Sequence, residues 1–236
     1  MRKLVFIILA TALIFFNACK KKVDDFSTLP LKDYFPLTVG KYITYNLDSI
    51  VYYTNFGTSA VTKSYQVKYL VEASITDALG RPAYRIVRFI RNTPTGSWVP
   101  DNTFMAVPTA SNIEFIENNL RFIKLQSPLR QDYSWKGNSY INTTSLSSTL
   151  KYLDDWDYTY DSLNVKTTIG AITVDSTIKV AHIDDRTTID RTFSEEKYAK
   201  GIGLVYRNFL YSNNGTANGK YTDNSYGIIL KMIDHN

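Results

Sequence analysis

His182 and His235 are the only side chains in these 236 residues whose ordinary pKa lies near neutrality, and neither is paired with a convincing nucleophile. His182 follows Ile178 and Val180 at a spacing of two, so strand alternation puts all three on one face and predicts a satisfied histidine at a core edge. With Asp184 and Asp185 it makes an incomplete ligand set, one imidazole and two neighbouring carboxylates, and no metal or other cofactor is expected. The densest acidic cluster is Asp154, Asp155, Asp157 and Asp161 in DDWDYTYD. It lacks the regular spacing and distant glutamate of a calcium loop, so solvated acids at a strand edge are expected. Gly201 and Gly203 open a G-x-G, but Tyr206 stands where a third glycine would be and no helical pattern follows, which argues against dinucleotide binding. No residue is assigned a catalytic role, and the chain reads as a non-enzyme; a hydrolase ranks below two binding functions.

The remaining reactive group is Cys19, the single cysteine. A lone thiol excludes an internal disulfide framework and every multi-thiolate metal site. Its setting is Arg2 and Lys3, then the run LVFIILATALIFF from Leu4 to Phe16, interrupted only by Thr11. That run is too short to span a bilayer but has the length of a signal-peptide core. Asn17-Ala18-Cys19 resembles a bacterial lipobox, in which a small residue precedes a cysteine that is lipidated and becomes the mature N-terminus; Phe16 departs from the usual Leu. Residues 1–18 are therefore expected to form a lipoprotein signal peptide, and residues 19–33 a lipidated N-terminus and tether. Acyl chains at Cys19, palmitate among them, would anchor the chain to a membrane, since two or more chains hold stably where one does not. Lys20, Lys21 and Lys22 stand where anionic headgroups would attract them. By resemblance to envelope sorting rules, Lys20 favours the outer membrane, while Asp24-Asp25 only half fits a surface-export signal. Periplasmic and outward-facing placements both stay open.

The +5 formal charge shrinks once Arg2 and Lys3 leave with a leader, and the other basic residues are scattered, so nucleic acid is not an expected partner. The 18 Tyr, 12 Phe and 3 Trp suit pleated, half-buried surfaces. Strand patterns alternate with turn chemistry from Tyr34 onward. Ile43, Tyr45 and Leu47 share a face; Tyr65, Val67, Tyr69, Val71, Ala73 and Ile75 share another; Ile113–Ile116 and Leu120–Leu125 form a hairpin about Asn118-Asn119. Further strands are expected over 83–91, 172–180, 202–211 and 226–233. Leu146, Leu150 and Leu153 allow one short helix. The expectation is one all-β domain over 34–236, an antiparallel twisted sheet curled into a half-barrel, barrel or sandwich, with at most one or two short helices. Pro36-Leu37 before Tyr42 is echoed by Pro128-Leu129 before Trp135, a possible duplicated start of a sheet.

The segments FPLTVGKYITYNLDSIVY, Phe35 to Tyr52, and YAKGIGLVYRNF, Tyr198 to Phe209, resemble the opening and closing parts of small cell-envelope lipoproteins of the Bacteroidota whose function is unknown. The resemblance implies an antiparallel β fold in the envelope and supplies no catalytic residues. Asp-Ser-x triplets at Ser49, Ser162 and Ser176 resemble an acceptor pattern for envelope O-glycosylation in the same phylum. Two binding functions are then in play. The first is a membrane-anchored module for an apolar or amphipathic ligand or envelope partner, which requires an apolar concavity. The alternative is a surface glycan-binding or adhesion module, which requires exposed aromatic rings in a shallow patch.

Overall fold

The computed structural model describes residues 30–52, 60–144, 148–215 and 220–236; Cys19, the leader and most of the expected tether lie outside them. Twelve strands form one antiparallel sheet: β1 (Tyr42–Tyr52), β2 (Ala60–Thr76), β3 (Pro82–Arg91), β4 (Val99–Pro108), β5 (Asn112–Glu117), β6 (Leu120–Gln126), β7 (Ser134–Lys136), β8 (Asp157–Ile169), β9 (Ile172–Arg186), β10 (Asp190–Ala199), β11 (Gly203–Asn213) and β12 (Tyr226–His235). The spatial order is β6-β5-β4-β3-β2-β1-β12-β11-β10-β9-β8-β7. The chain thus meanders from the centre to one edge, crosses to the other, and meanders back until β12 lies beside β1. The sheet curls until it is nearly closed into a barrel, as the all-β expectation allowed.

The two edges meet through few contacts. Ile123 N–H donates to the Gly137 carbonyl at 2.8 Å, and the Trp135 indole donates to the Ile123 carbonyl at 2.8 Å. The Tyr160 hydroxyl donates to the Gln126 carbonyl at 2.7 Å and accepts from the Gln126 N–H at 2.9 Å. Pro36-Leu37 and Pro128-Leu129 each stand a few residues before the first strand of a six-strand meander, β1 and β7 respectively.

Local chemistry accounts for the elements. Asn118 and Asn119 adopt φ of 51° and 62°, the left-handed region that a tight hairpin needs and asparagine tolerates, joining β5 to β6. In β2 the alternation buries Val67 and Val71, but the register shifts between Val71 and Ala73. Ala73 and Ile75 therefore pair with Arg85 and Ala83 and leave the face they were expected to share with Val71. A 3₁₀ helix, Ser148–Leu153, falls where a short helix was expected, with Leu153 buried; Leu146 lies outside the described residues. A second short helix, α1 (Leu31–Tyr34), occupies sequence read as tether and follows Pro30, whose fixed φ suits a helix start. Leu31 and Tyr34 are buried, and the Tyr34 hydroxyl donates to Asn164 Oδ1 at 2.9 Å. Among the described residues, core packing therefore begins at Leu31.

Gly137 lies flat against the ring of Tyr158, and a Cβ added there would overlap ring carbons. Overpacking beside a fully buried tyrosine has no room to relax. Gly137→Ala is expected to destabilise the fold by about 3 kcal/mol, read as a lower urea midpoint at unchanged slope.

Candidate functional site

The strand registers place a single row of residues across the concave face: Tyr65, Leu47, Leu230, Arg207, Glu196, Val180 and Tyr160 are successive cross-strand partners. Directly opposed residues share a face, so Arg207 and Glu196 point inward with the apolar members of the row. Burying charge is costly unless it is paired, and the pairing here is extensive. Glu196 accepts from Lys124 Nζ at 2.8 Å and from the Tyr198 hydroxyl at 2.5 Å, and its carboxylate lies 3.6 Å from Arg207 Nε. Arg207 in turn makes a two-pronged pair with Glu117, both hydrogen bonds at 3.0 Å. Two cations thus face two anions inside the sheet.

Burial alone would raise the Glu196 carboxyl, but Lys124, His182 and Arg207 overcome it and hold the group well below the usual carboxylate range. Glu117 is lowered in the same way, its burial outweighed by Arg207 and Lys124. Arg207 is raised because Glu117 and Glu196 outweigh its own desolvation. His182 is buried more deeply than a core edge, at 2% exposure, with its ring stacked on Tyr158 at 3.8 Å and 10°. Nδ1 lies 2.9 Å from Ser194 Oγ, while Nε2 has no hydrogen-bond partner and sits 3.5 Å from Glu196. Burial takes the imidazole down to about 3, with Glu196 opposing only in part, so the ring is neutral at physiological pH.

Two crevices flank this cluster, and Lys124 and Arg207 line both. The first encloses about 650 Å³ of space continuous with solvent and is walled mainly by Phe35, Leu37, Tyr69, Val71, Phe115 and Leu204, with Glu196 and Tyr198 on its inner side. The second, about 420 Å³, is walled by Tyr152, Trp156, Tyr158, Phe209 and Tyr226, with Glu117, His182 and Ser194 as its polar lining.

The residues singled out in sequence are dispersed. Asp184 pairs with Arg191 at the surface, away from the inward His182, so the two are not brought together as ligands. Asp155 and Asp157 share Lys136 at 2.8 and 2.9 Å, Asp154 accepts from Thr143, and Asp161 pairs with Lys179 at 3.3 Å. Ser49 sits in the middle of β1 opposite Lys63 and Ile228, Ser162 lies at an irregularity of β8 opposite Lys179, and Ser176 takes φ of 52° within β9. The aromatic surplus is largely interior: Trp135 and Trp156 are buried, and Tyr140 and Tyr226 are the large aromatics exposed among the described residues. Glu117, Lys124, Glu196 and Arg207 were not singled out from sequence. One signal was present: Arg207 interrupts the alternating series Val205, Phe209 and Tyr211.

Lys124→Met keeps the length of the side chain but leaves Glu196 without its nearest cation, and is expected to cost about 3–5 kcal/mol of folding stability. An unfolded histidine binds its proton near pH 6.5, and folded His182 only near 3, so the unfolded chain carries the extra proton between these values. Stability therefore falls as pH drops from 6.5 toward 3, by about 3 kcal/mol at pH ~4.5. Urea titrations of wild type and His182→Phe check this: the variant's stability should vary less over that window.

No protein-family model and no curated protein matches the chain. Two solved structures are similar in fold. One is assigned as an exported protein with YmcC-like fold from Bacteroides fragilis NCTC 9343, at 12% identity and a TM-score of 0.43, the match covering 85% of this chain and 99% of that one. The other is assigned as a lipoprotein from Parabacteroides distasonis ATCC 8503, at 11% identity and a TM-score of 0.38, covering 86% and 98% respectively.

Proposed function

We propose that this chain is a non-enzymatic lipoprotein of the cell envelope, anchored at Cys19 to the outer membrane, whose first crevice takes the apolar part of an amphipathic ligand. The observation that carries the reading is the crevice itself. It opens to solvent, and its walls are mainly aromatic and aliphatic, with Lys41, Lys124, Arg207 and Glu196 as the charged members of the lining. A chain-like apolar group would lie against Val71, Phe115 and Leu204, and a polar end would reach Lys124 and Arg207. A binding role also agrees with the protonation states. His182 is neutral and held too low to shuttle protons near pH 7, and Glu196 is tied to Lys124 and Tyr198.

The test is photo-crosslinking of the full-length chain in lipid nanodiscs with a diazirine-bearing fatty acid, mapped by peptide mass spectrometry. Adducts are expected on the β2 and β11 peptides that wall the crevice, and Leu204→Trp, which fills it, should reduce them about tenfold, ~1.4 kcal/mol. Labelling confined to the N-terminal segment, or unaffected by Leu204→Trp, would remove the reading. Intact mass of the same preparation should show acylation that Cys19→Ser abolishes.

A further inference from the structure

We infer that the second crevice is a separate binding site for one uncharged sugar ring. The inference is independent of the ligand of the first crevice and begins with unsatisfied polar atoms. His182 Nε2 and Arg207 Nε are buried without a hydrogen-bond partner, and both residues line this crevice. Each lies near Glu196, at 3.5 and 3.6 Å, without making a hydrogen bond to it. Orphaned buried donors of this kind call for an acceptor that the fold does not supply. With Nδ1 accepting from the Ser194 hydroxyl, the remaining ring proton is on Nε2, and the crevice then offers two unused N–H groups.

The neighbouring charges select the ligand class. Lys124 and Arg207 are already paired, with Glu196 and Glu117, and of these two acids Glu117 lines this crevice. A carboxylate or phosphate entering here would meet Glu117 and must draw Lys124 or Arg207 out of an existing pair, and an ammonium would meet those two cations. A hydroxyl has no such conflict, because it accepts from an N–H while donating to a carboxylate or to Ser194. Several hydroxyls on one rigid frame meet a mixed set of donors and acceptors better than a single polar group does.

The walls complete the argument. Tyr152 stacks on Tyr211 at 4.1 Å and 14°, its hydroxyl lies 3.3 Å from that of Tyr226, and Tyr226 packs on Phe209 at 4.8 Å. Trp156 lies behind Phe209, held by its indole N–H donating to the Tyr152 carbonyl at 2.7 Å. Rigid ring faces above a polar floor fit a molecule with C–H faces and a hydroxylated rim, which is the amphipathy of a pyranose.

Saturation-transfer NMR on the full-length chain in nanodiscs tests this, with methyl β-glucoside, methyl β-galactoside and methyl α-mannoside as neutral probes and glucuronate and glucosamine as charged ones. At least one neutral glycoside is expected to bind with a dissociation constant on the order of 1 mM, above both charged sugars. Tyr226→Ala, at a partly exposed wall, and His182→Phe, which keeps the stack on Tyr158 but removes Nε2, should each weaken it about tenfold. Leu204→Trp in the first crevice should leave it unchanged, so failure here and failure of the fatty-acid experiment are separable. Absence of transfer to all three neutral glycosides, a preference for either charged sugar, or wild-type binding by folded Tyr226→Ala would overturn the assignment.

Discussion

An ionised carboxylate in the middle of a β-barrel is the constraint around which this structure is organised. Glu196 is 1% exposed, and leaving such a group unpaired would cost several kcal/mol, comparable to the whole stability of an ordinary domain. Its nearest cation, Lys124, comes from β6 on the other six-strand meander, and the hydrogen bond spans 72 residues of sequence. Arg207 repeats the connection from β11 to Glu117 on β5 across 90 residues. Both bonds cross the interior, and neither can form unless the sheet curls far enough to bring β5 and β6 opposite β10 and β11. The seam between β6 and β7 supplies only a few hydrogen bonds of its own, so curvature rests heavily on these inward charges and on the aromatic residues packed around them.

The same constraint explains why some strands were plain in the sequence and others were not. The strands β2, β5, β6, β11 and β12 carry apolar residues at alternate positions, and pattern reading located them. The strand β10 was missed because Thr192, Ser194 and Glu196 point inward while Phe193 points outward, an inversion of the usual pattern. The strand β8 was missed for a different reason: its pairing with β9 shifts register three times, so no run of its side chains keeps a simple period. The helix α1 is only four residues long, and its buried Leu31 and Tyr34 offer no periodicity to detect. Within the site, His182 was read onto the correct face, yet its depth depends on Tyr158, which reaches it only through tertiary packing. Arg207 was the one legible clue to the charged centre; Lys124 was hidden because the Leu120, Phe122, Lys124 face of β6 is no more apolar than the Arg121, Ile123, Leu125 face.

Pairing within the cluster also decides what the interior can accommodate. A net charge there would draw counter-ions into both crevices and make their contents depend on salt. With two cations and two anions balanced at short range, the far field largely cancels and only oriented hydrogen-bonding groups remain exposed to a ligand. The cluster lies between a mainly apolar crevice and an aromatic crevice with a polar lining. Lys124 and Arg207 border both, so a shift of either cation on one side alters the field on the other through Glu196.

The position of the first crevice relative to the N-terminal segment ties this interior to the proposed anchor. Phe35 and Leu37 line the crevice within a few residues of α1, where the described chain begins. From Cys19 to Pro30 the backbone spans at most about 40 Å even when fully extended. A lipid at Cys19 would therefore hold Pro30, five residues before Phe35 of the crevice, within that distance of the bilayer surface. The residues that directly follow α1 also wall the crevice, so a pull from the N-terminal side would act first on the buried Leu31 and Tyr34 and next on Phe35. That ring touches Phe115 of β5 at 6.1 Å and Tyr198 of β10 at 5.9 Å, on the two meanders whose approach defines the interior. Phe35 is thus the point where α1, the curvature of the sheet and the apolar crevice are joined.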